Sequence, residues 1–238
     1  MRKLCLIVGL AGAMVAPNLF AAYDGTLIVN GSGYENGQGG EFRVVSPIGT
    51  FQTFCIEDQE WFLPGATYKY YKNTGAVAGG VGADTTDLNT GIAMDNISIG
   101  TAWLYSQFRA GTLANYFGVN RQANAGVLQT AIWMLEGEVD YNAANPYLGQ
   151  ARTALGMTDA QLVGDSGGAY NVVALNLFDG PPGSSPTDKQ GTGGVTYHLN
   201  QDQLAIVPEP TTMVAGIGAL GLVLLGLRRR SGVLKIGN

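Results

Sequence analysis

Ser98-Ile99-Gly100-Thr101-Ala102-Trp103-Leu104-Tyr105-Ser106-Gln107-Phe108-Arg109-Ala110-Gly111 is where this chain changes character. Ser98 is a helix-capping residue, Ile99, Ala102, Trp103 and Phe108 recur near helical spacing, and Gly111 follows as a stop. Arg121 to Glu136 repeats the trend, with Leu128, Ile132 and Leu135 on one stripe and Gly137 at its end, and Pro146 to Leu155 predicts a third helix. Outside this block the punctuation is different. Gly25 to Ser32, Glu41 to Ser46, Phe51 to Glu57 and Tyr68 to Lys72 precede it as short β-branched or aromatic runs between Gly, Asn and Pro. Asn171 to Phe178, Val195 to Tyr197 and Gln203 to Val207 follow it in the same style, while Gly75 to Gly82, Asp84 to Asn89 and Asp179 to Pro186 read as loops. Strands, a helical insert at about 95–155, then strands again predict an α+β domain built on a mainly antiparallel sheet or sandwich.

Both ends read as signals. Arg2 and Lys3 precede the apolar run Leu4 to Val15, and Leu19-Phe20-Ala21-Ala22 offers small residues to signal peptidase, so 1–21 is expected to be a cleaved secretory signal. At the other end Val207-Pro208-Glu209-Pro210 leads into an uncharged segment, a membrane helix expected over 211–227, and then Arg228-Arg229-Arg230 as a cationic stop. Met213 to Leu227 would rise roughly 22 Å as a helix against a hydrocarbon core of roughly 30 Å, which suits a transient anchor. These three parts, in this order, resemble the PEP-CTERM sorting signal of Gram-negative bacteria. That resemblance implies processing by an exosortase near Pro208-Glu209-Pro210, leaving 207–230 as the sorting signal and 231–238 as a tail.

The body, 22–206, is long enough for one domain with a real core. It holds seven cations, Arg43, Lys69, Lys72, Arg109, Arg121, Arg152 and Lys189, against 17 acidic groups. That balance argues against nucleic acid, whose phosphates demand clustered Lys and Arg. No internal repeat is visible.

The chain has two cysteines, and Cys5 lies inside the secretory signal. Cys55 would then be the only thiol of an exported body, which excludes an internal disulfide and leaves a free thiol to explain. It sits in Thr53-Phe54-Cys55-Ile56-Glu57 at a strand end, and a second marked segment, Leu128-Gln129-Thr130-Ala131-Ile132-Trp133, lies on a predicted helix. A thiolate held against a carboxamide in the absence of water can displace ammonia and leave a thioester. Phe54 and Trp133 are the aromatics placed to shield such a bond.

Those two segments together resemble the thioester (TQXA) domains of bacterial surface adhesins. The resemblance implies that Cys55 supplies the sulfur and Gln129 the acyl carbon, with Ala131 and Trp133 matching the flanking pattern. Glu57 stands where the family has Asp, and Leu128 where it has Thr. An acyl group held this way is open to an amine or hydroxyl on a partner. The other reading of Cys55 stays open: a small buried hydrophobe beside Phe and Ile, in a structural matrix protein.

Weaker constellations surround these. Glu57, Asp58 and Glu60, like Glu136, Glu138 and Asp140, have the spacing of a solvated acidic face more than of a calcium site or a glycosidase pair. His198 is the only histidine, and no serine elbow accompanies it. Trp61, Phe62, Tyr68, Tyr70 and Tyr71 fit alternate core positions before a sugar-stacking surface. The sequence thus predicts a non-enzymatic exported protein without cofactor or metal. Its expected partners are signal peptidase, exosortase, the inner membrane in transit, and extracellular polysaccharide or surface amines and hydroxyls.

Overall fold

The computed structural model describes residues 22–37, 39–79, 85–181 and 187–207. The secretory signal, Pro208-Glu209-Pro210, the apolar segment 211–227 and Arg228 to Arg230 lie outside those residues. Among the described residues no helix is long and apolar enough to cross a membrane.

Among the described residues ten strands and four α-helices follow in chain order: β1 Gly25–Asn36, β2 Gly39–Ser46, β3 Gly49–Thr53, β4 Thr67–Asn73, β5 Gly75–Val77, β6 Thr85–Thr86 and β7 Ala93–Asn96. Then come α1 Ile99–Ala110, α2 Arg121–Leu135, α3 Pro146–Leu155, α4 Asp159–Leu162, β8 Val172–Phe178, β9 Thr187–Gln190 and β10 Thr196–Ile206. The expected α+β architecture is what forms. The main sheet has the order β3-β2-β1-β4-β8-β10-β9, antiparallel throughout, and a small sheet β5-β7-β6 stands beside it.

The main sheet closes on itself. Beyond Thr53 the chain of β3 continues alongside β10, with Cys55 bridging Gln203. Ile56 N–H donates to the Asp202 carbonyl at 3.0 Å and Leu204 N–H to the Phe54 carbonyl at 3.1 Å. The Thr53 hydroxyl adds a bond of 2.7 Å to the Leu204 carbonyl. Six strands therefore form a ring whose seam is the segment 53–56, and β9 extends β10 outside it. Closure removes the exposed sheet edge that a lone β3 would present. Because strand side chains alternate, the ring has two apolar faces. One set, with Leu27, Val29, Phe42, Val44, Tyr70 and Leu177, surrounds Cys55. The other, with Phe54, Ile56, Ala174 and Leu204, packs under the helices.

Local signals explain the helix ends. The Ser98 hydroxyl caps α1 by accepting from Thr101 N–H at 3.1 Å, and Gly111 closes it with φ of 74°. Pro146 opens α3 behind the Asn145 cap. Sequence reading misplaced several pieces, among them Thr85–Thr86, taken as loop but paired with β7 as a strand. Gly75–Val77 is a strand and not loop, because Asp95 and Asn96 of β7 lie so close that a Cβ at Gly75 would meet the Asp95 carbonyl. Thr187–Gln190 is likewise a strand, paired to β10. The predicted strand Phe51 to Glu57 is regular only to Thr53, with Cys55 left as an isolated bridge.

Candidate functional site

The site forms where β2 and β3 part. Their ladder ends at the Phe42–Thr53 pair, so Cys55 is next to Gly40 without bonding to it. The Gln129 carboxamide fills that gap. Its Oε1 accepts from Cys55 N–H at 3.0 Å and from Gly40 N–H at 3.4 Å, and its Nε2 donates to the Cys55 carbonyl at 2.7 Å. The side chain thus stands in for a missing ladder partner, bracketing one residue by both of its backbone groups.

Such an approach needs glycine on β2. A Cβ at Gly39 would lie 2.6 Å from Gln129 Cγ and 2.8 Å from the Trp133 ring, and Gly40 holds φ of 102°, which side chains rarely adopt. The helix is fixed in register by an ion pair at its start. Arg121 Nε donates to Glu41 Oε2 at 2.9 Å, the Tyr116 hydroxyl donates to the same oxygen at 2.9 Å, and Glu41 is fully buried on β2. That triad ties α2 to the strand that carries Gly39 and Gly40.

Cys55 is a free thiol and fully buried, with Sγ 3.6 Å from Gln203 Nε2. Burial pushes the thiol well above its ordinary pKa; the Gln203 donor opposes that shift and nearby Glu57 adds to it. The sulfur is shielded from outside reagents. Of the two aromatics expected to screen it, Trp133 packs against the cluster that contains Cys55. Phe54 packs on the helix side, edge-on to Phe108 at 5.0 Å.

Of the six acidic residues expected on solvated faces, Asp140 is exposed, Asp58, Glu60 and Glu138 are half-buried, and Glu57 and Glu136 depart from the expectation. Glu57 and Glu136 are 2% and 6% exposed. Glu136 accepts from the Ser98 hydroxyl at 2.7 Å and so steadies the cap of α1, while burial raises its pKa to about 7. Asp202 accepts from Val77 N–H at 3.0 Å, Leu177 N–H at 2.9 Å and the Asn176 amide, and burial raises it to about 7. Its own N–H donates to Glu57 Oε2 at 2.8 Å, and desolvation with the Asp202 charge pushes Glu57 up strongly. Gln201 and Asp202 fall in a register shift of β10 between Asn200 and Gln203, both of which keep partners on β8. Among the described residues no cluster of His, Cys, Asp and Glu is arranged to hold a metal.

His198 is half-exposed and bonds Asp188 at 2.7 Å on the β9–β10 pair. Tyr68 and Tyr70 are core residues, as alternation implied, Tyr71 is buried in a separate cluster with Phe178 and Tyr197, and Trp61 is exposed. Sequence reasoning missed Gly39, Gly40, Asp202 and Gln203. Two signals were available: paired glycines inside a strand mark close backbone approach, and a run of polar residues inside a β pattern marks a bulge.

No family model matches the sequence, and no curated protein matches it. Among solved structures the chain aligns with the N-terminal thioester domain of fibronectin-binding protein SfbI from Streptococcus pyogenes. Identity is 13%, the alignment covers 81% of this chain and 97% of that one, and the TM-score is 0.41.

Proposed function

We propose that this chain is an exported surface or matrix protein whose body attaches covalently to a partner through an internal Cys55–Gln129 thioester. The observation that carries the reading is the bracketing of the Gln129 carboxamide by the backbone of Cys55. In the bond-forming step the sulfur attacks Gln129 Cδ, the Cδ–Nε2 bond breaks, and nitrogen leaves as ammonia with the thiol proton. No oxidant or reductant is needed. Negative charge on Oε1 in the tetrahedral intermediate would meet the N–H groups of Cys55 and Gly40, which already point at that oxygen. An attacking amine would later take the acyl group and release the thiol, giving one attachment per molecule and no turnover; the protein is in this sense not an enzyme. Delivery by the secretory signal, brief inner-membrane residence through 211–227 and exosortase processing at Pro208-Glu209-Pro210 complete the proposal, with the cell surface or extracellular matrix as destination.

A second reading has its own support. Complete burial of Cys55 among aliphatic and aromatic side chains is also what a structural thiol would show, in a non-reactive component of a polysaccharide matrix. Incubation with a fluorescent primary amine separates the two. Covalent label at Gln129, absent from Cys55→Ala, is the expected result; an unlabelled wild type selects the structural reading.

A further inference from the structure

Cys55 faces two carboxamides. Gln129 reaches its backbone, and Gln203, across the seam on β10, reaches its sulfur. Gln203 Nε2 also donates to the Gln201 carbonyl at 3.1 Å, and this fixes the amide's orientation, since turning it over would set oxygen against oxygen. Its Oε1 is consequently buried with no hydrogen-bond partner among the described residues. A core position filled by leucine or methionine would carry no such cost. The residue is fully buried, next to the apolar cluster that contains Cys55. What distinguishes this side chain is the N–H it directs at the sulfur, at 3.6 Å.

Building on the thioester reading, we infer that Gln203 is a positioning residue for the reaction between Cys55 and Gln129, stabilising the sulfur as it becomes a thiolate. In bond formation the sulfur must shed its proton before or as it attacks Cδ, in surroundings that disfavour the anion. In opening by an amine, the C–S bond breaks and the sulfur departs as thiolate, later taking the proton released by the attacking nitrogen. One donor serves both directions, because each passes through the same developing charge. Losing a hydrogen bond to a charged group should slow each step about tenfold or more.

The test uses the full chain, recovered unfolded before bond formation and refolded by dilution into detergent. Intact mass follows the loss of ammonia with time; methylamine is then added and opening is timed. Gln203→Met is expected to slow both steps about tenfold. A residue that merely fills space would behave differently, since a loosened core admits methylamine faster. Formation and opening at wild-type rates, or faster opening, would overturn the inference, whereas a wild type that never loses ammonia rejects the thioester reading beneath it. Should Gln203→Met fail to fold, Gln203→Glu keeps the size of the side chain. Its formation rate should level off with rising pH once the new carboxylate ionises beside the sulfur, whereas the wild-type rate keeps climbing with the thiolate fraction. A wild-type-like climb in Gln203→Glu would equally refute the role.

Discussion

Gly39→Ala is the sharpest probe of the geometry at Gln129. The added methyl would sit 2.6 Å from Gln129 Cγ and 2.8 Å from the Trp133 ring, against an ordinary carbon–carbon contact of about 3.5–4.0 Å. About 1 Å of overlap must therefore be relieved. Trp133 is rigid, Gln129 Cγ lies close to its helix backbone, and Gly39 is held in the β1–β2 ladder opposite Asn36, so the carboxamide itself has to withdraw. Overpacking of this kind costs about 1–3 kcal/mol of stability. Its effect on chemistry should be larger, since a misplacement of about 1 Å costs roughly a hundredfold in rate. Refolding followed by intact mass measures ammonia loss, and thermal unfolding measures the stability term separately. The reasoning predicts a folded variant with a melting temperature lowered by several degrees and bond formation nearly abolished. A Gly39→Ala protein that loses ammonia at the wild-type rate would refute it.

Other perturbations reach different parts of the account. Removing Arg121 (Arg121→Met) leaves the fully buried Glu41 carboxylate without its cation and should destabilise the body by about 3–5 kcal/mol in a urea titration; a change under about 1 kcal/mol would show that the pair does not anchor α2. Asp202 and Glu136 are raised from 3.8 and 4.5 to about 7, and Glu60 from 4.5 to about 8, so the native state keeps protons that the unfolded chain gives up. Stability should then fall as pH rises from about 4 toward about 8. Melting temperatures that climb over that range would contradict the buried-carboxyl picture. Deleting 208–238 should abolish membrane association in cell fractionation, and unchanged retention would exclude the tail as anchor.

Much of the fold was legible because its signals are local. The bounds of α1, α2 and α3 fall within a residue of those read from caps and stops, since Ser98, Gly111, Pro146 and the apolar stripe of Leu128, Ile132 and Leu135 act over a single turn or two. The pairing of Cys55 with Gln129 was implied by the resemblance of their two segments to thioester domains, and the two residues do meet, through backbone and carboxamide. Ring closure was not legible. It depends on Cys55 meeting Gln203, 148 positions away, and no periodicity within either segment encodes that encounter. Burial of Glu57 and Glu136 was hidden for a related reason: each carboxyl is held by donors from distant elements, Asp202 N–H and Ser98, so its neighbours in sequence say nothing of its environment. The same distance effect divides the two aromatics, with Trp133 on the sulfur's side of the sheet and Phe54 on the other.

The intact mass of the purified mature protein tests the central claim most directly. A thioester predicts a mass lower than the sequence by one ammonia, restored and exceeded on methylamine treatment, with both changes absent from Cys55→Ala and Gln129→Ala. A mass equal to the sequence, with Cys55 fully alkylated once the chain is unfolded, would contradict it.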